Sequence, residues 1–387
     1  MMEALLMFLA APSALFWLAF ALSPWVIWRN REVLEVTDPA EDDESLADIT
    51  AVVPARNEAE VIQLTLQSIA AQGRELNIIL IDDGSEDSTA ALARRIAHSS
   101  LRILQSAPLP DGWSGKLWAL EQGRRQVTTR YTLFLDADIK LARGSIKALK
   151  DKMHQQGAAI ISLMAAPSMA SAWEKLLMPA FVYFFKALYP FHRVNSPDSK
   201  IAAAAGGCIL VETRVLEQIG GFEPIKSAVI DDCAFAHRVK LQGFKIWLGL
   251  THAAQSIRSY KNLEEIGDMI ARSAFAQLRY SLGLLILCTF ALLLLYVLPA
   301  FVAASSNGVT RNLSLASLAT MLLTYLPTLR FYRRSWAWAF CLPLIAVFFL
   351  VRTWTSAFRY WRGEHTRWKG RVYRRSVAVE LADRQVR

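Results

Sequence analysis

The chain has 387 residues, 53% of them apolar, and its 43 Lys and Arg outnumber 34 Asp and Glu for a formal charge of +9. The length allows one large domain with smaller attachments, and the positive charge requires no nucleic-acid partner, because neither basic-aromatic stripes nor a reader motif is present. Cys208, Cys233, Cys288 and Cys341 have no paired spacing, which suggests neither a zinc site nor a disulfide framework and suits a reducing compartment.

Ala4 to Trp28 carries no charged side chain, long enough to cross a hydrocarbon core of ~30 Å. The start Met-Met-Glu lacks the basic region of a cleaved signal peptide, so residues 1–31 read as an N-terminal transmembrane anchor. Arg29 and Arg31 follow it directly, and basic flanks favour the cytoplasmic side. Residues 32–48 are acidic, with Asp38, Glu41, Asp42, Asp43 and Glu44 close together, and read as a linker.

From 49 the pattern changes to alternating strands and helices. Strands are expected at 49–53, 77–82, 101–104 and 131–135, with helices at 60–72 and 88–97 between them. Such alternation predicts an α/β fold with a mostly parallel central sheet and helices on its faces, whose ligands bind beyond the carboxyl ends of the strands. Pro54 to Glu58, Asp82-Asp83-Gly84-Ser85 and Asp136-Ala137-Asp138 each follow a strand, so all three should converge on one rim. Burying two carboxylates without a cation is costly. Mg²⁺ takes one or two carboxylates plus phosphate oxygens, so Asp136 and Asp138 suggest a metal-diphosphate site, the alternative being a solvated turn. GxxxxGK[ST] and GxGxxG are both absent, which argues against a P-loop or dinucleotide fold.

Trp173 to Phe191 is aromatic-rich but interrupted by Lys175, Pro179 and Lys186. It reads either as an interfacial segment or as a buried helix of the domain. Apolar runs return at 281–304, 313–328 and 336–351, the last two separated by LRFYRR. Residues 281–357 therefore read as a membrane region of two or three spans, followed by a basic tail over 358–387. Beyond Phe358 there are nine Lys and Arg against three Asp and Glu. Three complete spans would put this basic tail outside, against the charge rule; a re-entrant or interfacial run around Pro343 would keep it inside.

VVPARNEAEVIQLTLQSI, ILIDDGSEDST and FLDADI, in that order, resemble the inverting family 2 glycosyltransferases over about residues 49–280. The resemblance implies the glycosyltransferase A-type fold, a nucleotide-sugar donor, UDP above all, and Mg²⁺ or Mn²⁺. It implies that Asp83 contacts the base, that Pro54, Ala55, Arg56 and Glu58 line the nucleotide pocket, and that Asp138 holds the metal with Asp136 beside it on the ribose or the ion. GWSGKLWALEQG resembles the family's Gly-Lys segment and places Lys116 near the nucleotide, unless it is a surface lysine; Glu121 stands where the family often has Asn and is not carried over. AAGGCILVETRVLEQIGGFEP resembles the acceptor-side segment, with Gly206 and Gly207 permitting close ligand approach or marking a tight bend. In SAVIDDCAFAHRVKLQGFKI, Asp231 replaces a family Glu and Asp232 falls on the catalytic-base position, where it would also favour a helix N-terminus. The family's Gln-x-x-Arg-Trp is matched only loosely by Arg279-Tyr280, with Arg279 either reaching the diphosphate or anchoring at the membrane.

The N-terminal anchor, FLDADI, GWSGKLWA, IDDCAFAHR and WKGRVY together are similar to the bacterial hopanoid-associated glycosyltransferases. That likeness implies a hopanoid-type lipid acceptor at the inner membrane, with the domain cytoplasmic. Two rival expectations are a processive polysaccharide synthase, which would need more spans and an intact Gln-x-x-Arg-Trp, and a catalytically silent membrane protein that binds nucleotide or lipid.

Overall fold

The computed structural model describes residues 2–23, 27–36, 45–368 and 371–374. The linker's acidic cluster and half of the basic tail lie outside the described residues. The chain divides into two compact units, one of residues 32–168, 191–259 and the stretch from 367, the other of 1–31, 169–190 and 260–366.

The first unit is built on eight strands: β1 (Ile49–Ala55), β2 (Asn77–Asp82), β3 (Leu101–Gln105), β4 (Tyr131–Leu135), β5 (Ile139–Leu141), β6 (Ile160–Ala166), β7 (Cys208–Glu212) and β8 (Ile246–Ser256). Their order in the sheet is β3-β2-β1-β4-β7-β6-β8-β5. β3, β2, β1 and β4 are mutually parallel, β7 runs against β4 and β6, β8 follows β6, and β5 runs against β8. The predicted α/β architecture is therefore present, with β7 and β5 as the reversed strands.

The apolar runs explain the central strands. All seven residues of β1 and all five of β4 are buried, as expected for parallel strands covered on both faces. Each fully buried Ile or Leu there contributes roughly 1.5–3 kcal/mol. Pro54 is accommodated because β4 pairs with β1 only as far as Val52, so the missing N–H costs no ladder bond on that side. Gly123 brings helix Gly115–Arg124 hard against the sheet, where a Cβ would lie 2.4 Å from Val52 Cγ1. The predicted helices at 60–72 and 88–97 form over the shorter spans Ile62–Ala70 and Thr89–Ala93.

The second unit is helical. Among its described residues, four helical segments are long and apolar enough to cross a membrane: Glu3–Leu22, Leu282–Ser305, Gly308–Phe331 and Trp336–Trp361. They bury a core around Trp17, Tyr183, Tyr325 and Leu342. The aromatic segment forms helix Ala172–Leu188, opened by a Ser171–Glu174 capping box, and packs within this core. Helix Leu263–Gln277 joins the same unit through ion pairs of Glu264 with Arg352 at 2.8 Å and Asp268 with Arg359 at 2.6 Å. Apolar contacts thus group 169–190 and 260–280 with the terminal helices. Strands β9 (Glu364–Trp368) and β10 (Arg371–Arg374) pair as a two-stranded sheet.

Candidate active site

The turns after β1 and β2 are stitched into one wall. Arg56 is buried, and its Nη1 donates to the carbonyls of Asp83 at 2.6 Å and Gly84 at 2.7 Å, while Nη2 meets Glu86 at 3.2 Å. Much of its fork is thereby spent on the neighbouring turn. Asp83 N donates to Ala55 O at 2.8 Å, and Ser85 N to Asp82 Oδ1 at 3.0 Å. Asn57 takes a positive φ of 52° at the crossing, where its Oδ1 accepts from Glu86 N at 2.9 Å. These bonds fix Asp83 and Glu58, both buried, at the carboxyl edge of the sheet.

The acidic turn after β4 faces a second group. Lys116, in the first turn of helix Gly115–Arg124, lies 2.8 Å from Asp136 Oδ1 and 3.5 Å from Asp231 Oδ2. Asp231 and Asp232 open helix Asp231–Leu241, where negative charge complements the N-terminal dipole. Asp232 Oδ2 accepts from Gly206 N at 2.8 Å, and Asp136 N donates to Gly207 O at 3.1 Å. The two glycines therefore link the acidic turn to Asp232. A Cβ on Gly206 would lie 3.3 Å from Lys116 Nζ and 3.4 Å from Asp232 Oδ2, so both side chains sit close against the bare backbone. These groups border a cleft whose apolar side holds Phe134, Phe222 and Phe235.

Burial raises Asp136 above the ordinary carboxylate range, Lys116 offsetting part of the rise and Asp138 adding to it. Asp232 is pushed up to about 6, first by burial and then by the charge of Asp231, with Lys116 and the backbone donors acting against the shift. Burial disfavours the ammonium of Lys116, but Asp136 and Asp231 outweigh it and hold the side chain charged.

Sequence reasoning missed Arg258. It follows β8, and its Nε donates to Asp138 Oδ2 at 3.0 Å while Nη2 donates to Glu58. Its sequence context, IRSY, carries no motif; the usable signal was its place just past the end of a long strand. Glu121 is buried and accepts from Arg124, Arg125 and Phe222 N, so it organises the turn at Gly221 and Phe222. Arg279 lies in the other unit, at a φ of 51° in the turn after helix Leu263–Gln277.

No group of three or more His, Cys, Asp or Glu side chains suited to a metal occurs among the described residues. A Mg²⁺ or Mn²⁺ ion shared with a diphosphate requires only one or two carboxylates, the other ligands being phosphate and water. Asp138 and Asp136 meet that requirement with hard oxygen donors at one strand end, so the residues fit such an ion.

Residues 50–220 match the family model described as Glycosyl transferase family 2. The 4,4'-diaponeurosporenoate glycosyltransferase of Staphylococcus aureus strain MRSA252 is 35% identical over 111 residues, 28% of this chain and 29% of the relative. That of Staphylococcus haemolyticus strain JCSC1435 is 30% identical over 112 residues, 29% of this chain and 30% of the relative. The matches thus span under a third of these curated relatives. Among solved structures, a mannosyltransferase from Pyrobaculum calidifontis in complex with GDP-Man and Mn²⁺ superposes with a TM-score of 0.54 at 17% identity, covering 92% of this chain and 99% of that one. The likeness is one of fold, the glycosyltransferase A-type arrangement with apolar helices at both ends of the chain. Asp232 and Arg258 lie beyond the matched segment, whereas the three acidic or polar turns of the sheet rim lie inside it.

Proposed function

We propose that the protein is a membrane-bound, inverting glycosyltransferase that moves a sugar from a nucleotide diphosphate, a UDP-sugar above all, to the hydroxyl of a membrane lipid. The observation that carries this reading is the pair of half-sites joined by Lys116: Asp136 at 2.8 Å on one side and Asp231, beside Asp232, at 3.5 Å on the other. Asp83, Glu58 and the turn held by Arg56 form the nucleotide wall. Asp138 and Asp136 would hold Mg²⁺ or Mn²⁺, which when bound neutralises charge growing on the departing diphosphate. Lys116 adds fixed positive charge at the acidic turn.

Asp232 takes the acceptor's proton as its oxygen attacks the anomeric carbon, a contribution of roughly 10² to 10⁴ in rate. Its raised affinity for a proton, at about 6, suits that task near neutrality. Attack and departure on opposite faces in one displacement invert the anomeric centre. The second unit's four apolar segments support a lipid acceptor, and the sequence resemblance supports one of hopanoid type. Arg29 and Arg31 after the first span, and Arg330 in the last turn of the third with Arg333 and Arg334 after it, support a cytoplasmic domain at a bacterial inner membrane. Asn30 Nδ2 donates to Pro327 O at 3.0 Å, which brings these two basic turns to the same end of the helical unit.

A second reading comes from the staphylococcal relatives, whose name specifies a carboxylate acceptor. A carboxylate attacks without losing a proton, so it would leave Asp232 no base to be. Membranes containing the protein, incubated with labelled nucleotide sugars and extracted with organic solvent, decide between them. The hydroxyl reading predicts an alkali-stable lipid glycoside; an alkali-labile ester would replace it with the carboxylate reading. Label confined to water-soluble polymer would overturn both and favour a polysaccharide synthase, and no transfer at all would favour a silent binding protein.

A further inference from the structure

The acidic turn after β4 has a second cation besides Lys116. One guanidinium, that of Arg258, bridges Glu58 from the turn after β1 and Asp138 from the turn after β4. Ser256 Oγ adds a bond at 3.3 Å to the same Asp138 oxygen that Arg258 holds. The fold builds this bridge: Ile139 pairs with Ser256 across β5 and β8, and Ile257 N donates to Asp138 O at 2.8 Å. The carboxylates are the more enclosed partners, at 9% and 17% exposure against 34% for Arg258. Arg258 is therefore the more accessible partner of the three.

We propose that Arg258 is a positioning residue that couples metal binding to nucleotide binding. Paired with Asp138 it opposes a divalent cation arriving alone, and it exchanges that carboxylate for diphosphate oxygens when nucleotide and metal arrive together. This inference rests on the transferase reading above. Charge gives its direction. A guanidinium and a divalent ion repel each other and compete for one carboxylate, so the ion alone must break a partly buried pair, which is costly. A diphosphate offers Arg258 a new anion whose oxygens match its planar fork. Nucleotide must then tighten metal binding, and metal must tighten nucleotide binding by the same factor.

The test is Mn²⁺ binding to the full-length, detergent-solubilised protein, read from the electron paramagnetic resonance of free Mn²⁺, alone and with saturating UDP or GDP. In the wild type, the better nucleotide should tighten Mn²⁺ binding at least about tenfold, within the usual range of coupling between sites. Arg258→Gln should bind Mn²⁺ alone about tenfold more tightly than the wild type and lose most of the nucleotide enhancement. Arg258→Lys keeps the charge but cannot fork between two carboxylates, so it should fall between; it carries the test by the same criterion if the Gln variant melts on purification. Enhancement in the variants equal to that of the wild type overturns the coupling and leaves the transferase reading standing. Absence of Mn²⁺ binding to the wild type with either nucleotide overturns the metal-dependent transferase reading together with this inference.

Discussion

Lys116 Nζ lies 2.8 Å from Asp136 Oδ1, tying the first turn of helix Gly115–Arg124 to the acidic turn after β4. Both groups are shielded, so the pair is more than a surface contact, and its loss leaves a carboxylate short of its cation. Lys116→Ala should lower kcat/KM by about 10²-fold, a loss typical of removing one preorganised electrostatic contact. Lys116→Arg should recover part of it. Steady-state transfer kinetics on the two variants check this; equal activity in Lys116→Ala and wild type would reduce Lys116 to a bystander.

Asp232 supplies the pH dependence. Its proton affinity is raised to about 6, and only the deprotonated carboxylate accepts the proton of a hydroxyl. Transfer should be level above that value and fall about tenfold per pH unit below it, as for a single essential base. In Asp232→Asn this acid limb should disappear along with most of the rate. A pH–rate profile of kcat/KM that keeps the limb in the Asn variant would assign it to another group.

Two glycines separate site geometry from stability. At Gly206 an added methyl would sit 3.3 Å from Lys116 Nζ, a flexible end that can shift, so Gly206→Ala should fold well but displace the lysine. A loss of about tenfold in kcat/KM is expected, since small misplacements near reacting groups are expensive. At Gly123 the methyl would meet Val52 Cγ1 at 2.4 Å in the packed interior. Gly123→Ala should cost about 1–3 kcal/mol of stability, as overpacking does, visible as a lowered Tm.

The helical unit carries a topological prediction. Tyr280, before the second candidate span, stacks on Tyr360 near the end of the fourth, with ring centroids 4.3 Å apart and planes 17° from parallel. Three complete crossings between them would put these rings on opposite membrane faces. Helix segment 336–361 should therefore turn back or lie at the interface, consistent with Arg352 and Arg359 on its second half pairing with Glu264 and Asp268. Single cysteines replacing Arg279 and Arg362 should react with a membrane-impermeant thiol reagent from the same side of oriented vesicles. Labelling from opposite sides would restore the three-span topology.

The sheet and its rim were legible because fully buried parallel strands appear as uninterrupted apolar runs: β2 and β4 have the bounds read from the sequence. Polar turns at the ends of such runs had to fall on one edge, which is why Asp83, Asp136 and Asp138 could be grouped. The role of Arg56 was not legible, because hydrogen bonds to two main-chain carbonyls of a remote turn leave no trace in residue type. Arg258 stayed hidden for a related reason: it meets Asp138 only through the long-range pairing of β5 with β8. The segment around Phe181 and Tyr183 was ambiguous by composition, since an interfacial helix and a packed one share aromatic side chains; its partners, Thr324 and Tyr325, decide that it packs in the helical unit.

In the proposed reaction Asp232 activates a lipid hydroxyl while the acidic turn holds the departing diphosphate. Its most direct measurement is transfer of labelled sugar into extractable lipid by membranes carrying wild type, Asp138→Ala or Asp232→Asn, with expression matched. The wild type should give labelled glycolipid, and each variant should lose at least about 10²-fold of it. Equal labelling by all three would contradict this mechanism.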